Sequence, residues 1–169
     1  MAKERFLRSL RLLAEAYQAF ERLSGRHVRE LGLTPAQFDI VATLGNTPGM
    51  PFRVLGERTL ITKGTLTGVV DRLEARGLVE RVASDVDRRS VTVRLTPAGD
   101  REFRRVFEPH IGHCKRGFAG WSVRDLAALE DQLTRLRDGL GEATRDPAPP
   151  GAPSGSARTA RGSRPRARP

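Results

Sequence analysis

Over the first thirty positions apolar residues return at steps of four and three. Phe6, Leu10, Leu13, Tyr17 and Phe20 draw one stripe down a single long helix. A second helix opens at Thr34-Pro35-Ala36-Gln37, a capping box with proline at the first helical position. It continues through Phe38, Ile40, Val41 and Leu44 to Gly45-Asn46. Pro48, Gly49 and Pro51 break the chain, and a short third helix covers Phe52 to Arg58. Thr62 caps a fourth helix in which Leu66, Val69, Val70 and Leu73 share one face and Gly77 supplies the stop. The period then falls to two. Val79 to Ala83 and Ser90 to Thr96 read as strands, joined by the polar loop Ser84-Asp85-Val86-Asp87-Arg88-Arg89 into a two-stranded ribbon. Thr96-Pro97 returns the chain to helix, interrupted or kinked at Pro109. Ser122-Val123-Arg124-Asp125 opens a last helix with Leu126, Leu129, Leu133, Leu136 and Leu140 at strict heptad spacing, a seam rather than a broad core face.

Charge and composition narrow this picture. The 169 residues suffice for one domain with a real core but not for two full-sized catalytic domains. No apolar run approaches the roughly 18–20 residues of a membrane span. The N-terminus leads into a charged amphipathic segment rather than an apolar signal core. The single cysteine, Cys114, excludes an intrachain disulfide and fits a reducing compartment, so the chain reads as cytoplasmic. The net charge of +10 points to a polyanionic partner. Residues 146–169, rich in Arg and Pro, carry +4 of it and hold no large apolar residue, which predicts disorder. The remaining +6 sits on the body of the chain.

The order helix, helix, helix, β-ribbon describes a winged helix-turn-helix. The expected fold is mainly α with a small two-stranded β wing. With its apolar face buried, the fourth helix would present Gly64, Gly68, Asp71, Arg72 and Ala75, flanked by Thr65 and Thr67. Two glycines on an exposed helix face cost about 1 kcal/mol each relative to alanine, but they let the backbone approach another surface. Thr65 and Thr67 offer short donors, acceptors and methyl groups suited to base edges. Lys63 and Arg72 suit phosphates. Arg88 and Arg89 stand at the hairpin tip, where a basic finger fits a minor groove, with Asp87 near enough to orient Arg89.

From Leu31 to Gly99 the chain resembles the MarR family of winged-helix transcriptional regulators. The resemblance is carried by ITKGTLTGVVDRLEARGLVER, the wing SDVDRRSVTVRLT and the helix opening LTPAG. The chain departs from the usual family pattern at Gly49-Met50-Pro51 and at Leu55-Gly56. The resemblance implies a homodimer whose first and last helices form the interface and whose recognition helices enter successive major grooves of double-stranded DNA. By position, Thr65, Thr67 and Gly68 would face bases, Arg89 held by Asp87 would enter the minor groove, and Arg88 would lie near the backbone. The implied organisation is a dimerisation helix over 1–30, a DNA-binding domain over 31–96, dimerisation helices over 97–145 and the tail over 146–169. The function expected is an operator-specific repressor binding a palindromic site.

Inputs to such a regulator take three forms. By analogy with the family, a small aromatic or phenolic anion would bind between the dimer helices and the DNA-binding lobe, with Tyr17, Phe38 and Arg53 as lining residues. His110 and Cys114, four residues apart, match a metal-ligand spacing that His27 would complete. Cys114, beside His113, Lys115 and Arg116, would favour a thiolate and hence thiol oxidation. No cofactor is implied. Nothing supports an enzyme, because the chain has no Gly-rich phosphate loop, nucleophile elbow or carboxylate–histidine cluster. A winged helix serving as a protein-interaction module or non-specific architectural DNA binder remains the rival class.

Overall fold

The computed structural model describes residues 4–83 and 91–145. The sequence expectations on Asp87, Arg88, Arg89 and the 146–169 tail lie outside those residues. The described chain forms two compact units, one ending at Ala119 and the other starting at Gly120.

The first unit runs α1 (Arg5–Glu30), α2 (Pro35–Leu44), β1 (Met50–Pro51), α3 (Phe52–Arg58), α4 (Lys63–Ala75), β2 (Val79–Ala83), β3 (Val91–Leu95) and α5 (Pro97–Lys115). The capping box forms as read, with the Gln37 amide donating to Thr34 Oγ1 and the Thr34 amide donating to Gln37 Oε1. Gly77 adopts φ +67° just after α4, where a left-handed residue ends the helix. One buried cluster joins the elements, built from Val28 of α1, Ile40, Val41 and Leu44 of α2, Leu55 of α3, and Leu66, Val69, Val70 and Leu73 of α4. Val79 and Val93 of the strands, with Phe103 and Val106 of α5, complete its centre.

The sheet has three antiparallel strands in the order β1-β3-β2, not the two expected. Met50 pairs with Val93 on one side of β3, while Arg81 pairs with Val93 on the other. A two-residue strand is too short to show alternation, and Pro51, which lacks an N–H, is tolerated because β1 is an edge. Gly49, at φ +100°, makes the approach: a Cβ there would lie 2.8 Å from the Val93 carbonyl oxygen. Helix α5 also differs from expectation, since it runs unbroken through Pro109. The proline removes the bond to the Arg105 carbonyl on the exposed side of the helix, where water can serve that oxygen.

Two surfaces stay open. Along α1, Phe6, Leu10, Leu13, Tyr17 and Phe20 are all exposed, and only Gly25 and Val28 of this helix are buried. In the second unit, Ser122 and Asp125 cap α6 (Val123–Arg145) reciprocally, yet no residue of α6 is buried. Leu133 and Leu140 of the heptad seam face outward.

Candidate nucleic-acid interface and adjoining cavity

Helix α4 is held from behind and open in front. Its apolar face is sealed, with Leu66, Val69, Val70 and Leu73 each at most 2% exposed. Arg81 of β2 steadies it from the side, donating to Asp71 Oδ1 at 2.5 Å and pairing with Glu74. Asp71 is thereby engaged within the chain rather than offered to a partner. The outer face carries exposed Gly64, Thr65, Thr67 and Arg72, with Gly68 half-buried. A Cβ added at Gly64 would meet nothing within 4 Å, and one at Gly68 only the flexible end of Arg72, at 3.5 Å. Packing among the described residues therefore does not call for either glycine. Lys63 opens the helix. The first turn has no side-chain cap, because the Thr62 hydroxyl bonds instead to the Thr65 hydroxyl at 3.0 Å.

Directly beside this turn lies a cavity of about 490 Å³ between α1, α2, α5 and the α3–α4 turn. Tyr17, Phe20, Phe38 and Ile111 give it apolar walls, and Glu21, Asp39, His110 and Thr65 are among its polar groups. Asp39 Oδ2 accepts the Leu60 amide at 2.8 Å, tying α2 to the turn that precedes α4. Burial raises the Asp39 pKa above the ordinary carboxylate value, and the Leu60 hydrogen bond opposes this.

Of the three histidines, His110 lines the cavity and the other two pack behind it. The Nδ1 atoms of His27 and His110 lie 3.1 Å apart, at hydrogen-bond distance, while His110 Nε2 contacts Ser24 Oγ at 3.2 Å and Cys114 Sγ at 3.4 Å. His113 stacks on His27 with ring centres 4.0 Å apart, and Phe38 meets His110 edge-on at 4.4 Å. Burial, then the neighbouring charges of His27 and His113, lowers the His110 pKa and holds the ring neutral.

A model of the MarR family matches residues 31–90. The homoprotocatechuate degradative operon repressor of Escherichia coli is 36% identical over 112 residues, covering 64% of this chain and 76% of that protein. AbsC of Streptomyces coelicolor, a MarR family regulator of known structure, shares the fold with a TM-score of 0.75 at 23% identity, over 84% of this chain and 98% of AbsC. BpsR of Bordetella bronchiseptica, whose DNA binding is regulated by 6-hydroxynicotinic acid, superposes with a TM-score of 0.67 at 28% identity, over 76% of this chain and 91% of BpsR. The chain belongs to the MarR family of transcriptional regulators.

Within this MarR protein the expected DNA-facing residues Thr65, Thr67, Gly68 and Arg72 do fall on one side of α4. Tyr17 and Phe38 both line the cavity. Arg53 does not: it sits on the outer side of α3, 78% exposed and paired with Glu57 one turn on at 2.5 Å. His110 and Cys114 share a helix face, as their spacing implied. Among the described residues, however, no group of three or more His, Cys, Asp or Glu side chains is arranged to hold a metal ion. The expected thiolate is corrected. Burial pushes the Cys114 thiol pKa up, outweighing the Ser24 hydrogen bond and the Arg116 charge that lower it. Among the described residues no helix is long and apolar enough to cross a membrane. Glu21 and Asp39 of the cavity were not singled out from sequence, and Thr62 was read only as the cap of α4, which its side chain does not form. Asp39 had a signal, as the only ionisable residue in the helix PAQFDIVATL.

Proposed function

We propose that this chain is a cytoplasmic homodimeric repressor that binds a palindromic operator and releases it when a small aromatic effector occupies the cavity. The observation that carries the reading is the outer face of α4, where two glycines that no contact among the described residues requires stand among Thr65, Thr67 and Arg72. A helix backbone bared on one side and locked on the other suits entry into a major groove. Thr65 and Thr67 read base edges. Lys63 and Arg72 neutralise phosphates. Arg89, held by Asp87, extends the contact to the minor groove, and Arg88 serves the DNA backbone. Residues 31–96 act as the DNA-binding domain, flanked by dimerisation segments 1–30 and 97–145. The open stripe on α1 and the uncovered seam on α6 support the dimer, since apolar faces of this length need a covering surface. Release follows from the position of Thr65, which belongs to the outer face of α4 and to the cavity wall alike.

Fluorescence anisotropy on DNA upstream of the chain's own gene, with random competitor, tests this. The expected result is a competitor-resistant complex of one dimer per site. Arg72→Ala should weaken all sequences about equally and flatten the salt dependence, whereas Thr67→Ala should change preference at particular base pairs. A complex that random DNA removes as easily as operator DNA overturns the repressor reading in favour of an architectural role.

A further inference from the structure

The cavity has a charge balance of its own. Two carboxylates line it, Glu21 from α1 and Asp39 from α2, and among the described side chains no lysine or arginine does. Neither carboxylate forms an ion pair with a described residue. Asp39 spends one oxygen on the Leu60 amide and stands half-buried, so its ionised form bears a desolvation cost that an incoming positive charge would relieve. Tyr17, Phe20 and Phe38 border it, and the negative quadrupole of an aromatic face attracts cations. Burial lowers the His110 pKa, which disfavours the charged ring that would meet an anion. An aromatic carboxylate would enter a partly dry space beside two like charges, and no lysine or arginine among the described side chains lines it.

We propose that this cavity selects an aromatic organic cation, a small amine or quaternary ammonium, with Asp39 and Glu21 as counter-charges and Tyr17, Phe20 and Phe38 as ring partners. The inference rests on the effector-responsive reading above and reverses the sign of the ligand that family analogy implies. It also sets this chain apart from BpsR, which an aromatic acid regulates. Asp39 is the coupling point as well as the counter-charge. Its carboxylate holds the Leu60 amide, so a cation drawn to it acts on the turn that sets the start of α4.

Titration calorimetry on the full chain at pH 7.5 decides the matter with 4-hydroxyphenethylamine and 4-hydroxyphenylacetate, which share a ring and carry opposite charges, and with benzyltrimethylammonium as a third probe. The expected result is that the amine binds at least tenfold more tightly than the acid. Asp39→Asn, whose amide oxygen still accepts from Leu60, should erase that preference. Glu21→Gln, at an exposed position, should reduce it and serves if the first variant fails to fold. An acid that binds as well as the amine, absence of cation binding at millimolar concentration, or a preference untouched by both variants overturns the proposal. Operator anisotropy run alongside separates the two readings. A chain that holds its operator but ignores both cations keeps the regulator and loses this inference, while one that binds cations without operator does the reverse.

Discussion

Helices α4 and α5 both begin with a threonine followed two or three residues later by a glycine, and the two starts are finished in opposite ways. At α5 the chain closes on itself. The Thr96 hydroxyl accepts the Gly99 amide at 3.0 Å and donates to the Gly77 carbonyl at 2.6 Å, while Gly99 is buried so tightly that a Cβ would collide with the Leu78 carbonyl. At α4 the Thr62 hydroxyl caps no backbone amide, and Gly64 faces open space. The first glycine answers a neighbour in the same chain. The second has none among the described residues, which leaves its backbone open on that side. A helix start with uncapped amides and no side-chain shield is also where an anion such as a phosphate binds well.

The same substitution at the two glycines should break this symmetry most visibly. Gly99→Ala should cost about 1–3 kcal/mol in urea unfolding through overpacking. Gly64→Ala should gain up to about 1 kcal/mol in the same assay, while weakening operator binding in anisotropy. A Gly64→Ala variant that binds operator unchanged would place the DNA surface elsewhere. The cap threonines come next. Thr96→Ala should lose about 1 kcal/mol of stability, and Thr62→Ala much less, with its effect appearing in DNA affinity instead. Equal stability losses would mean that the two caps do the same structural work.

The smallest effect concerns the other end of α5. Because His110 is held neutral, its folded pKa lies below the unfolded value of about 6.5. The unfolded chain therefore binds more protons in acid. This contribution to stability is complete above that pH and is lost as pH falls toward the folded pKa. The groups facing the ring are His27 and Ser24 of α1, Phe38 of α2, and His113 and Cys114 of α5. His110→Gln should give a shallower fall in unfolding free energy between pH 7.5 and 5.5. An unchanged slope would assign the acid sensitivity to other groups.

Local signals were legible where a residue type has one strong structural use. The Thr34–Gln37 box, the Gly77 stop and the apolar face of α4 each appear as read. Strand β1 was not, because pairing with Val93 is a long-range fact and two residues carry no period. The cavity was half legible for a related reason. Tyr17 and Phe38 are aromatic and drew notice, but Glu21 and Asp39 look like ordinary surface acids until the fold brings both to the cavity and the Leu60 amide to Asp39. Arg53 misled because a long basic side chain suggests an anion site, whereas its partner Glu57 lay four residues away on the same helix.

Thr65 stands at the meeting of the outer face of α4 and the cavity wall, and this has an evolutionary corollary. Under the proposed function, what the protein senses and what it reads converge on a single side chain, so neither can drift alone. A lineage that changed this residue to follow an altered operator would retune its chemical input in the same step. Paralogues that diverged at this position should therefore differ in both vocabularies at once.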